Sequence, residues 1–361
     1  MLPAENVLIT KTDGSVEAIV PATESGDDIQ ILDGIISPGF INAHCHIELS
    51  HFKGMIPQHT GLVNFVQQVM SRRNEKSEEE KQAAIKAAAD ELYQSGTAAV
   101  GDICNTTDSL VIKQNSPIYW HNFIEVSGFI DAAAKKRLDD AEETLGYFEA
   151  IRQPATLSPH APYSVSKILF QLLNDYTASQ IITIHNQEAA AEDELYLAKK
   201  GGFLELYKNF GIDISGFEAT RKPSLQSWLP YFTKNQKIIS VHNSFTGQAD
   251  IDFAQNKLRF CLCPNANLYI ENVLPPVEML VKNNCHIVLG TDSYASNEQL
   301  NIMAEIHTIR RHFPQIALET ILQWATLNGA RALGIADRFG SFEKGKSPGL
   351  VLIKDGSARR V

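Results

Sequence analysis

The feature that most constrains this chain is an alternation. Short apolar runs at residues 39–45, 97–103, 117–124, 154–159, 181–185, 237–242, 258–263 and 286–291 are mostly separated by helix-patterned stretches. Repeated strand-then-helix order predicts parallel strands, because a parallel neighbour is reached only by a long crossover. Eight such units predict an α/β fold of the (β/α)8 TIM-like barrel type, an architecture that can hold most of a 361-residue chain around one core. Two of the intervening stretches, Glu78 to Ser95 and Asp131 to Arg152, are alanine-rich, charged on one side and apolar on the other. The segment 47–70 is too long for an ordinary connection and is expected to cover part of the cavity.

The ends of the chain follow another pattern. Residues 6–37 alternate Val7-Leu8-Ile9, Val16 to Val20 and Ile29 to Leu32 with Asp-Gly and Ser-Gly turns, which predicts short antiparallel strands. Near the other end, Gly345 to Gly349 precedes the apolar run Leu350 to Ile353 and a further Asp355-Gly356 turn. The expectation is one small β-sandwich-like domain built from 1–37 and 341–361, flanking a barrel over 38–340.

Charge narrows the partners. A net charge of −10, with basic runs no longer than Lys135-Lys136-Arg137, argues against a nucleic-acid surface and for a small-molecule substrate. Met1 to Asn6 lacks a basic region followed by an apolar stretch, and no later run approaches the roughly 20 apolar residues of a membrane span, so a cytoplasmic location is expected. Five scattered cysteines fit free thiols in a reducing compartment better than a disulfide framework.

The chemistry collects at strand ends. His44 and His46 stand at i and i+2, so on a strand their side chains point the same way. Taken alone, His-X-His is ambiguous. His185, His242 and Asp292 also close apolar runs, and in a parallel barrel the C-terminal strand ends surround one cavity. Nitrogen donors with one carboxylate suit Zn²⁺ or Fe²⁺ and suit Ca²⁺ or Mg²⁺ poorly. Glu188 follows His185 by three residues; it either swings over the same cavity or sits in the first turn of a helix, where the dipole favours its charge. His160, flanked by Pro159 and Pro162, ends a further strand and is presented rigidly enough for substrate contact. Cys45, Cys261 and Cys263 read as core packing, because a structural zinc site needs about four ligands. Trp120 and Phe123 read as barrel packing rather than ring stackers.

These stretches resemble the amidohydrolase superfamily, in its deaminase and chlorohydrolase branch. The likeness runs through Pro38 to His46, Ser158 to Ser164, His185 to Glu188, Cys263 to Leu268, Leu289 to Asp292 with Ser296-Asn297, and Gly345 to Leu352. The resemblance implies one divalent ion, Zn²⁺ first and Fe²⁺ second, held by His44, His46, His185 and Asp292 with a water completing the set. It also implies that Asp292 takes a proton from that water, that His242 orients the nucleophile, and that Glu188 protonates a ring nitrogen. An aminated aromatic ring resists attack until that nitrogen is protonated, so an acid is needed beside the nucleophile. Some relatives use two metals bridged by a carboxylated lysine at the end of the fourth strand, whereas that region here reads Thr156-Leu157-Ser158-Pro159-His160 and the next lysine is Lys167.

The reaction the resemblance implies is hydrolytic deamination of a 6-aminopurine nucleoside of the aminodeoxyfutalosine, S-adenosylhomocysteine, methylthioadenosine or adenosine type. His160, Glu48, Asn267 and Ser296 are the expected substrate contacts, with Glu48 equally able to cap a turn. Phe52-Lys53-Gly54 stands where many members carry Arg-Gly. Two alternatives use the same residues: hydrolysis of another aminated or halogenated heterocycle or cyclic amide, and a non-catalytic metal-binding barrel. A homodimer fits the resemblance.

Overall fold

A computed structural model describes residues 5–361; most of the N-terminal run read above for targeting lies outside the described residues. The strands are β1 (Asn6–Thr10), β2 (Val16–Pro21), β3 (Ile35–Pro38), β4 (Phe40–Cys45), β5 (Thr97–Cys104), β6 (Tyr119–Val126), β7 (Ala155–Pro159), β8 (Ile181–Asn186), β9 (Lys237–His242), β10 (Leu258–Leu262), β11 (His286–Leu289), β12 (Leu350–Lys354) and β13 (Ser357–Arg360). Strands β4 to β11 are the predicted parallel set, in two four-stranded sheets ordered β4-β5-β6-β7 and β11-β10-β9-β8.

Two seams close these half-barrels into the eight-stranded barrel. Between β7 and β8, the His185 amide donates to the His160 carbonyl at 2.9 Å and the Thr183 amide to Ser158 Oγ at 3.2 Å. Between β11 and β4, the Thr291 and Asp292 amides both donate to the His44 carbonyl, at 3.0 and 3.1 Å. Asn42 reinforces this seam, giving Nδ2–H to Thr291 Oγ1 at 2.8 Å and accepting the Thr291 amide at 3.1 Å. Side-chain parity does the rest. Ile41, Ala43, Phe123, Val241 and Cys261 fill the barrel interior, while Phe40, Ile124, Ile184, Leu262 and Leu289 pack outward against the helices. Gly290 is required where the second seam tightens, because a Cβ there would meet His44 Cβ at 2.8 Å and Cys261 Sγ at 2.9 Å.

The two predicted helices form over Glu78–Gln94 and Ala134–Ala150. The first is started by a capping box in which Ser77 and Glu80 satisfy each other's backbone amides. The terminal expectation holds in part. β3 pairs antiparallel with β12, and β12 with β13, so both ends of the chain share a three-stranded sheet. The hairpin β1–β2 is a separate sheet, tied to the C-terminal segment where the Val16 amide donates to Lys346 and the Gly345 amide to Val16, each at 2.8 Å. Ile29 to Leu32 is not a strand: it finds no pairing partner, and Ile31 is 90% exposed. The three-stranded sheet rests on the barrel at Gly96, whose φ of +95° and 2.5 Å clearance from a would-be Cβ to Val351 exclude other residues.

Candidate active site

The barrel's C-terminal mouth opens into a cavity of about 360 Å³. Its floor is made of strand ends. His44 and His46 come from β4 and its exit, His185 from β8, and Asp292 from the turn after β11. His46 Nε2 lies 3.2 Å from His44 Nε2 and 3.1 Å from His185 Nε2, and Asp292 Oδ1 lies 3.5 Å from His44 Nε2 and 3.4 Å from His46 Nε2. One ligand atom from each of the four residues falls within 4.8 Å of the others. Each half-barrel therefore contributes two.

Burial pushes all three histidines below the ordinary imidazole range, so they are neutral lone-pair donors. His185 Nδ1 sits 2.7 Å from the His160 carbonyl, which puts its proton there and leaves Nε2 free to coordinate. For Asp292, burial acts to raise the carboxyl, but His46, His242 and the hydroxyl of Ser296 outweigh it and the net shift is downward. Converging neutral nitrogens around one ionised carboxylate fit a divalent ion with nitrogen preference.

Glu188 and His242 stand beside this set, with His242 Nε2 3.5 Å from Glu188 Oε1. Glu188 is raised well above the usual carboxyl range, first by burial and then by the charges of Asp292, Glu192 and Glu271. Its turn is held by Glu192, which accepts the amides of Gln187 at 2.9 Å and Glu188 at 2.8 Å. Gln187, His242 and Asp292 all adopt left-handed backbone conformations, with φ of 45°, 71° and 58°. Such geometry is retained where surrounding contacts over-determine it. For Asp292 those contacts include Asn297, which donates to the Thr291 carbonyl at 2.9 Å and to Glu305 Oε1 at 2.8 Å. Glu305 also accepts the Asn265 amide at 2.9 Å, so one buried carboxylate braces both the Asp292 turn and the segment leading to Asn267.

Of the four expected substrate contacts, only His160 lines the cavity. Glu48 is turned away from it: its carboxylate accepts the Asn105 and Thr106 amides and the Ser109 hydroxyl, each at 3.0 Å. That anchors the turn after His46, which Asp102 also holds by accepting the Ile47 amide at 2.9 Å while paired with buried Lys113. Asn267 lies behind His242, 3.3 Å from Nδ1, an arrangement that leaves the His242 proton on Nε2. Ser296 donates to Asp292 Oδ2 instead of facing the cavity. Glu48 and Ser296 are supports, because their polar atoms are already engaged by the protein; Asn267 supports His242 and Ser244 through Nδ2, while its Oδ1 has no hydrogen-bond partner among the described residues.

The segment 47–70 covers the cavity as expected. After a short turn of helix it continues into a helix over Leu62–Arg72, whose Leu62, Phe65, Val66, Val69 and Met70 line one wall. Tyr163 reaches the cavity, whereas Tyr294 bonds Glu91 outside it. Sequence reasoning missed Arg73, Asn105 and Glu125, which form a polar strip on the wall. Glu125 carried the same signal as His185, a polar residue closing an apolar strand. Arg73 and Asn105, in a helix exit and a loop, carried none.

Three imidazoles and a carboxylate at the C-terminal ends of a (β/α)8 barrel define the metal-dependent hydrolase class. Residues 35–360 match the sequence profile of the amidohydrolase family, and the chain belongs to that family. It is 28% identical over 357 residues to a 5′-deoxyadenosine deaminase of Methanococcus vannielii, covering 92% of this chain and 79% of the relative. Its fold matches the aminofutalosine deaminase of Helicobacter pylori in complex with methylthio-coformycin, with a TM-score of 0.83, 22% identity, and coverage of 96% and 86%. It also matches an adenosine deaminase of Xanthomonas campestris with bound zinc, with a TM-score of 0.72, 22% identity, and coverage of 97% and 80%.

Proposed function

We propose that this protein is a zinc-dependent hydrolytic deaminase of a 6-aminopurine nucleoside, releasing ammonia. The observation that carries this reading is the placement of Glu188: a buried carboxyl, raised above its usual range by that burial, beside His242 and the four-residue donor set at the cavity floor. Attack on either an aminated or a halogenated ring is helped by protonation of the neighbouring ring nitrogen, but a departing amine needs a further proton and a halide does not. The relatives named above are deaminases of nucleosides, which supports the same assignment.

His44, His46, His185 and Asp292 would hold the ion, whose Lewis acidity makes water a competent nucleophile near neutral pH. Asp292, kept ionised, would accept the proton of the attacking water and return it to the departing amine, which leaves as ammonia. Glu188 holds a proton at its carboxyl and gives it to the ring nitrogen next to the amino-bearing carbon. His242 presents Nε2–H toward the oxygen that gains negative charge on attack, and its left-handed backbone aims it there. The apolar wall excludes water other than the nucleophile. Five cysteines without disulfide partners support a reducing, cytoplasmic setting.

The test is ammonia release by the zinc-loaded protein over adenosine, 5′-deoxyadenosine, methylthioadenosine, S-adenosylhomocysteine, aminodeoxyfutalosine, adenine, guanine and cytosine. Turnover of at least one aminopurine nucleoside is expected. Silence on every compound with zinc bound would sink the proposal.

A further inference from the structure

Glu188 and His242 leave adjacent parallel strands, β8 and β9, and their reacting atoms stand 3.5 Å apart. That lies outside the range of about 2.7–3.2 Å in which a hydrogen bond is strong, so neither side chain holds the other. Were the gap to close, the Nε2–H of His242 would donate to the Glu188 carboxyl, and the two groups would be spent on each other instead of on substrate. The separation is set by what lies behind them.

Gln187 lies there. It is wholly buried, takes a left-handed backbone with φ of 45°, and stands outside the cavity lining. Its side chain crosses from the turn of Glu188 to the segment that follows His242: Oε1 accepts from Thr246 Oγ1 at 2.7 Å, and Nε2 donates to Asp250 Oδ2 at 3.0 Å. The reverse amide orientation would set Oε1 against a carboxylate oxygen that already accepts the Gly247 amide. The Gln187 carbonyl also accepts the Phe245 amide at 3.0 Å. Asn186 adds a second tie, accepting the Asn243 amide at 3.0 Å and giving Nδ2–H to Asn243 Oδ1 at 3.1 Å. His242 and Asn243 are both left-handed, with φ of 71° and 58°, a shape that their own backbone disfavours and that outside contacts must hold.

We propose that Gln187 is a positioning residue for the reaction: by bolting the turn of Glu188 to the turn of His242, it keeps the two groups apart from each other and both directed at the substrate. This rests on the nucleoside deaminase reading above. Gln187 and Glu192 divide the work. Glu192, in the helix Ala190–Ala198, ties the turn of Glu188 to the helix that follows it, whereas Gln187 ties it to the neighbouring strand's exit. A buried hydrogen-bond network with its members satisfied rigidifies the elements it joins. Rigidity matters here because a displacement of about 1 Å at a reacting group can cost on the order of 10²-fold in rate.

The experiment compares the zinc-loaded wild type with Gln187→Met, Thr246→Val and Gln226→Met, using the nucleoside of the panel above that the wild type turns over fastest, and reads kcat, KM, zinc content and Tm. Gln187→Met, which removes both side-chain cross-links, is expected to lower kcat about 10–100-fold, with KM within about threefold and zinc retained. Thr246→Val removes one of the two, so its kcat should fall by about three- to tenfold, and it guards against a folding defect in the methionine variant. Gln226 donates to the other oxygen of Asp250 at 3.0 Å and touches neither turn. Gln226→Met should therefore lower Tm, because it leaves a polar group of Asp250 unpaired, while kcat stays within about twofold of the wild type. Unchanged kcat in both Gln187→Met and Thr246→Val, or an equal fall in Gln226→Met, overturns the positioning role and leaves deamination standing. A wild type silent on every aminopurine nucleoside removes both readings together.

Discussion

The floor and the outer wall of the cavity are built on opposite principles. The floor consists of strand ends locked by hydrogen bonds: the His44 carbonyl takes two amides from the turn bearing Asp292, and the His185 amide closes the other seam. The wall is largely one helix, Leu62–Arg72, presenting Met70 together with Leu62, Phe65, Val66 and Val69, which share one apolar cluster with Phe129, Phe210 and Ile212. Moving a floor residue opens a barrel seam. Trading one apolar wall residue for another changes only volume. Chemistry thus sits where the fold tolerates least, and selection of the substrate's remote end sits where it tolerates most.

The largest effect should come from the floor. Glu188→Gln is expected to lower kcat by on the order of 10²–10⁴-fold with metal content unchanged. The wild type should also lose activity at both ends of the pH range. In alkali it falls as pH rises through the raised pKa of Glu188, because the proton donor is then lost. In acid it falls as the histidine ligands become protonated, at a pH below the usual imidazole range because burial lowers them. In Glu188→Gln the residual rate should lack the alkaline limb; a limb that survives would take the proton-donor role away from Glu188.

A brace beneath the floor should give an intermediate effect. Glu305→Ala frees Asn297 and Asn265 together and is expected to lower kcat by about 10–100-fold with KM little changed. Since Glu305 touches neither cavity nor donor set, unchanged kinetics would mean that the Asp292 turn holds its geometry without it. The smallest effect belongs to the wall. Phe65→Ala should raise KM roughly tenfold for a substrate with an apolar 5′ group and leave kcat within about twofold. A collapse in kcat instead would show that wall and floor are coupled.

The legible part of the site was the part carried by strand ends. His44, His46, His185, His242 and Asp292 each stop an apolar run, and a parallel barrel brings such positions together whatever lies between. Glu48 was misplaced for a related reason. It keeps the parity of His44 and His46, but the chain leaves the extended conformation after Cys45, and parity has no meaning in the turn that follows. Asn267 and Ser296 lie near the site in sequence motif and in space, yet the Asn267 amide nitrogen is turned to His242 and the Ser296 hydroxyl to Asp292.

By itself the sequence determined the strand count, the donor set and the class of chemistry, because periodicity and residue type act locally and the parallel topology leaves little choice of where strand ends go. Only the tertiary structure decided which polar groups face the cavity and which are consumed in support. It separated the β1–β2 hairpin from the terminal sheet, turned Glu48 toward three donors from the next loop, and joined Arg73, Asn105 and Glu125 into one strip. Those outcomes depend on hydrogen-bond partners distant in the chain, and no local pattern records which donor reaches which acceptor first.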